Sequence, residues 1–258
     1  MISSAQFNSL LHRKAVQSVL KMELIENGEL PYKDFVEKLY KDLDSAIFQL
    51  QKNPELHQTS SEDLLSLWIL DNLNTRGYDA VHEGKTGGHV DLTIKLGDYS
   101  WIGEAKKDGN YEGGFKQLNT RYVTASGNFS HDSGGLIFYL VKRKNAKQIL
   151  DKWKEKLEEK NIVCTYCSNN KLAFYSDHVL DGSGTDFFVR SMAVSLYHSP
   201  QDASGVKTAE KKAPAKKAAA KKTAAKKIPA NKTAAKKTAA KKQQQRRPFP
   251  LPHKLVLV

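Results

Sequence analysis

The sequence predicts an α/β fold, a mixed β-sheet flanked by helices, and three observations carry that prediction. Two alternating apolar runs flank a two-residue loop, Gly97-Asp98, which is a hairpin signal because Gly takes the positive φ such turns need. Gly135 precedes a continuous apolar run, residues 136–141, typical of a central strand buried on both faces. Segments of helical period lie before, between and after these strands, as an α/β sheet requires.

The elements follow in order. Residues 3–27 and 32–53 read as an antiparallel helical pair, with Phe35, Leu39, Leu43, Ile47 and Leu50 at helical spacing and Gly28 and Pro31 at the turn. Residues 1–56 are therefore expected to form an N-terminal helical region, a cap or dimer surface on the domain that follows. Thr59-Ser60-Ser61 then caps a helix running to about residue 76, with Glu62 and Asp63 in its first turn, where acids complement the helix dipole. Leu64, Leu65, Leu67, Trp68, Ile69, Leu70 and Leu73 make that helix too apolar for the surface, so it should pack on the sheet.

A short strand near residues 78–82 leads into a glycine-rich loop, Glu83-Gly84-Lys85-Thr86-Gly87-Gly88, and then into the hairpin. The loop lacks the spacing of a Walker motif and suits close approach of a substrate backbone. Residues 113–125 form a further helix and residues 144–160 a charged surface helix. Strands are expected at residues 162–167, 171–176 and 187–197, completing a domain over residues 57–200. Cys164 and Cys167 lack a second ligand pair for zinc and read as buried strand thiols.

The chemistry concentrates on the hairpin. If Leu96 pairs with Tyr99, Asp91 falls opposite Glu104, His89 falls opposite Lys106, and alternation puts Lys106 on the face of Glu104. Opposed carboxylates repel, and a hard divalent cation such as Mg²⁺, for which Mn²⁺ can substitute, would neutralise them. Lys106 would add a positive charge to orient water or stabilise a phosphate. Glu62 adds a further acid, and Gln117 and Arg121 share a helix face that could look towards the hairpin. Lys85, His89, Lys107 and Arg121 are the expected phosphate contacts of the body.

Asp91, the hairpin gap and then Glu104-Ala105-Lys106 resemble the PD-(D/E)XK nuclease superfamily, with its restriction-endonuclease-like fold. Glu62 on the preceding helix and Gln117 on the following one extend the resemblance, which covers about residues 60 to 142. Val90 stands before Asp91 where the family motif has Pro, a departure that spares the catalytic side chains. The resemblance implies metal-dependent phosphodiester hydrolysis, with Asp91, Glu104 and Glu62 holding metal and Lys106 and Gln117 completing the catalytic set.

Charge is segregated along the chain. Residues 205–258 hold 17 of the 41 Lys and Arg and one acid, Glu210, a net of +16, against −3 for the rest. From residue 211 the sequence repeats in lysine-alanine pentads carrying Lys211-Lys212, Lys216-Lys217, Lys221-Lys222, Lys226-Lys227, Lys236-Lys237 and Lys241-Lys242. With Pro214 and Pro229 inside and little to bury, residues 201–258 should form a disordered basic tail. It resembles the tails of linker histones and bacterial histone-like proteins. Such a tail binds polyanions through counterion release without reading bases.

The expected function is a Mg²⁺-dependent DNA nuclease, endonuclease or exonuclease, in restriction and defence against foreign DNA or in DNA repair. The alternatives are a catalytically inactive nuclease-like DNA-binding or architectural protein, and a nuclease for RNA. No membrane partner is expected, since no apolar run is long enough to span a bilayer. A cytoplasmic, nucleoid-associated protein follows, with a homodimer and a partner supplying target specificity as open options.

Overall fold

The structure is a computed structural model that describes residues 9–82, 84–85, 89–122, 129–180 and 182–201. Among the described residues, helices α1 (Lys14–Glu26), α2 (Tyr32–Gln51), α3 (Glu62–Asn74), α4 (Tyr111–Gln117) and α5 (Ala146–Glu158) flank the strands. Those strands are β1 (Asp79–Val81), β2 (Gly84–Lys85), β3 (His89–Val90), β4 (Leu92–Leu96), β5 (Tyr99–Lys107), β6 (Ser133–Leu140), β7 (Val163–Tyr166), β8 (Ala173–Val179) and β9 (Asp186–Ser195). Seven of them form one mixed sheet in the order β1-β4-β5-β6-β9-β8-β7, while β2 and β3 pair as a separate ribbon. The centre is parallel (β5, β6 and β9) and the flanks are antiparallel.

Alternation along β6 divides the core. Ile137 and Tyr139 face α2 and α3, in a cluster with Phe35, Leu39, Leu43, Leu65 and Ile69. Leu136, Phe138 and Leu140 face α5, in a cluster with Leu150, Trp153 and Leu157. Every residue of β6 is buried, which explains why its sequence is continuously apolar or small. Each large apolar side chain taken wholly from water contributes about 1.5–3 kcal/mol before entropy is counted.

One packing detail fixes the middle of the sheet. Gly103 and Gly135 are register partners on β5 and β6. A Cβ at Gly103 would lie 2.7 Å from the Trp101 ring, and one at Gly135 would lie 2.4 Å from it. The buried indole therefore covers the two glycines, and only glycine leaves room for it.

The helical region expected over residues 1–56 as a cap or dimer surface packs on the sheet. Met22 and Ile25 of α1 and the apolar stripe of α2 join the same cluster as Leu92, Ile94, Trp101 and Val194. Buried Arg190 of β9 adds a polar tie, donating to both Asp44 carboxylate oxygens of α2 at 2.7 and 3.0 Å. Residues 1–209 make one compact unit. The helix expected over 113–125 is shorter, closing at Gln117 and continuing as a wider π-turn over Leu118–Tyr122. Cys164 and Cys167 are free and only half-buried; Cys164 packs with the α5 cluster and Cys167 with the α2 cluster, so they face opposite sides of the sheet. The basic tail, with its lysine pairs from Lys211 to Lys242, lies outside the described residues. Among the described residues no helix is long and apolar enough to cross a membrane.

Candidate active site

The hairpin forms in the expected register, with Leu96 opposite Tyr99 and Leu92 opposite Gly103. The ladder then stops. Asp91 sits at a bend, and beyond it His89 pairs with Lys85 of the β2–β3 ribbon, while the expected ladder pairing of His89 with Lys106 does not form. The expected direct pairing of Asp91 with Glu104 is thus replaced by a side-chain contact: Asp91 Oδ2 accepts the Ala105 backbone N–H at 2.9 Å. A carboxylate here takes a backbone donor that the departing strand leaves behind.

Glu104 is buried and Lys106 nearly so, both beneath α4. Gly114 is the reason α4 can come so close. A Cβ there would meet Lys106 Cγ at 2.8 Å and Glu104 Cγ at 3.3 Å. The Lys106 ammonium donates to Glu104 Oε1 at 2.6 Å and to the Ala105 carbonyl at 2.7 Å. Asp91 Oδ2 lies 3.6 Å from it and Glu62 Oε1 3.5 Å. Three carboxylates, from the β3–β4 bend, β5 and the first turn of α3, thus converge on one ammonium.

Glu62 holds its place through the helix start. Ser61 caps α3 by accepting the Leu64 N–H at 3.1 Å, and Glu62 Oε2 accepts the Lys107 backbone N–H at 2.5 Å. The Lys107 ammonium donates to the Ser60 carbonyl, so this lysine staples β5 to α3. Below the cluster the Tyr139 hydroxyl meets Ser66 Oγ at 3.2 Å. Burial raises the Tyr139 pKa, Ser66 opposes that, and the nearby Asp91 and Glu62 charges add to it, so the phenol stays neutral.

The electrostatics are unbalanced, three acids against one base. Burial pushes the Glu104 carboxyl up to about 7; the Lys106 hydrogen bond works against this and the Asp91 and Glu62 charges reinforce it. For Lys106 burial favours the neutral amine, but Glu104, Asp91 and Glu62 outweigh it and raise its pKa. Among the described residues Glu104 Oε2 is buried without a hydrogen-bond partner.

The donor set suits a hard divalent cation, since it offers carboxylate oxygens, one of them buried and unpartnered. Among the described residues no three His, Cys, Asp or Glu side chains are grouped as metal ligands; the carboxylates gather round Lys106 instead.

Comparison with protein-family models, curated proteins and solved structures gives no match. What can be said of the site rests on its own geometry.

Gln117 follows Gly114 by three residues, hence on the same side of α4, but makes no hydrogen bond to the cluster. The side chains of Lys85, His89 and Arg121 lie outside the described residues. Gly114 itself was missed in the sequence, although a Gly113-Gly114 pair inside a helical run, where glycine costs stability, points to a packing reason.

Proposed function

We propose that the chain is a metal-dependent nuclease of the PD-(D/E)XK type acting on DNA, with its basic tail adding sequence-independent affinity. The observation that supports this most is the Lys106 ammonium lying within 3.6 Å of Asp91, Glu62 and Glu104, beside an unpartnered buried Glu104 oxygen. An ordinary solvated hairpin would not bury Glu104 beside two further acids that share one ammonium, because an incompletely compensated buried charge is costly.

In this reading Asp91, Glu104 and Glu62 would hold Mg²⁺ or Mn²⁺. When bound, such an ion would offset charge on the scissile phosphate and lower the pKa of water so that it can lose a proton and attack. Lys106 orients that water or offsets charge developing on the phosphate, and its contacts with Glu104 and the Ala105 carbonyl fix the ammonium in position. Asp91, bonded to the β5 backbone, and Glu62, bonded to Lys107 N–H, are positioned by the fold before any ligand arrives. Degradation of foreign DNA is the setting we favour, with repair as the other.

The test is purified full-length protein against supercoiled, linear, nicked and single-stranded DNA and RNA, with and without Mg²⁺ or Mn²⁺. Metal-dependent cleavage of DNA supports the reading. Binding without cleavage on every substrate would instead favour an inactive, architectural protein.

A further inference from the structure

A groove of about 610 Å³ runs between the start of α4 and the length of α5. Arg143, Lys144, Lys152 and Lys156 line it, and all four are exposed. Its one acid, Glu112, is already engaged, 3.7 Å from Lys156 and 3.2 Å from Lys160. The groove is therefore strongly positive on a body that is otherwise slightly acidic. The start of α5 opens into it with no acid in the first turn, so the helix dipole adds to the same field.

Its floor is apolar but not available for stacking. Trp153 is buried and donates its indole N–H to Ser191 Oγ at 3.1 Å. Tyr111 stacks on Phe138 with ring centres 4.1 Å apart. A ligand here meets cations, not aromatic faces, so it is recognised by phosphate and not by base.

The groove and the cluster share one element. Tyr111 opens α4 in the groove wall, and Gly114, about 5 Å further along the helix axis, lies over Lys106 and Glu104.

We propose that this groove carries the sugar-phosphate backbone of the nucleic-acid strand flanking the scissile phosphate, as a track that reads no sequence. It deepens the nuclease reading and rests on it for the identity of the strand.

The test uses the full-length chain and a triple variant, Lys144→Ala with Lys152→Ala and Lys156→Ala. Binding to a short duplex DNA is measured in chelator over a range of salt, and cleavage is measured in Mg²⁺. The tail is present in both proteins, so any difference reports the groove. The variant should lose about 2–3 from the slope of log affinity against log salt, close to 0.9 per phosphate contact. Its KM should rise with kcat nearly unchanged, and two duplexes of different sequence should be affected alike. An unchanged slope and KM would overturn the proposal, even if wild type cleaves and Lys106→Ala does not. If wild type cleaves nothing, the nuclease reading falls, and the salt slope alone decides whether the groove holds phosphate.

Discussion

Glu104 gives one oxygen to the Lys106 ammonium at 2.6 Å and keeps the other, Oε2, buried with no hydrogen-bond partner among the described residues. A half-satisfied buried carboxylate is unfavourable in isolation, and under the proposed function a bound cation would complete it.

Divalent metal should therefore stabilise the folded protein. Mg²⁺ or Mn²⁺ should raise the Tm of wild type, by the equivalent of about 2.7 kcal/mol at a hundredfold excess over Kd. Glu104→Gln keeps the shape but removes the charge and should abolish the shift. A thermal-denaturation series in metal and in chelator checks this; equal shifts in both proteins would place the cation elsewhere.

Gly114→Ala should separate stability from activity. Alanine in a helix interior normally gains up to about 1 kcal/mol over glycine. Here its Cβ would press on Lys106 Cγ, near the fixed end of the side chain, and displace the ammonium. Cleavage should drop by about tenfold or more, as expected when a catalytic group moves by about 1 Å, while Tm changes little. Unaltered cleavage would mean that Lys106 placement does not matter.

Two buried groups give opposite pH dependences in the metal-free protein. Glu104 is raised from 4.5 to about 7, chiefly by burial, so the folded state holds its proton longer and stability falls as pH rises through that window. His178, buried on β8 with Nε2 2.8 Å from Ser176 Oγ, is lowered by burial from 6.5 to about 4. Its contribution is present above pH 6.5 and is lost as pH falls towards 4. Each amounts to roughly 3 kcal/mol at most, at 1.36 kcal/mol per pKa unit. They offset each other in wild type. Denaturant titrations should show Glu104→Gln gaining stability between pH 4 and 6.5, and His178→Asn losing it between pH 4.5 and 7. Variants that both run parallel to wild type would refute the assignment.

Deleting residues 205–258 removes a net charge of +16. The truncated chain should bind DNA more weakly and with a flatter salt dependence, because fewer counterions are released. Its Tm should stay near that of the full chain. An unchanged salt slope would deny the tail a role in binding.

Local chemistry made the hairpin and the Glu104-Lys106 neighbourhood legible. Gly97 adopts φ +55° at the turn, and the alternation of Leu92, Ile94 and Leu96 fixes which face is buried. Other features were hidden because they depend on distant partners. Nothing near Asp91 says that the chain leaves the ladder there, since an alternating pattern continues formally to His89. The apolar stripe of α2 reads the same whether it covers a dimer or, as found, packs on Trp101 and Val194. The cover that α4 provides over Lys106 depends on Gly114, whose closeness to Lys106 and Glu104 arises only in the folded chain.

The most direct measurement compares DNA cleavage by wild type, Lys106→Ala and Asp91→Ala at matched concentration in Mg²⁺, with DNA affinity recorded in chelator. Wild type should cut, both variants should be inactive, and all three should bind with nearly equal affinity. Undiminished cutting by either variant would contradict the assignment of this cluster as the catalytic centre.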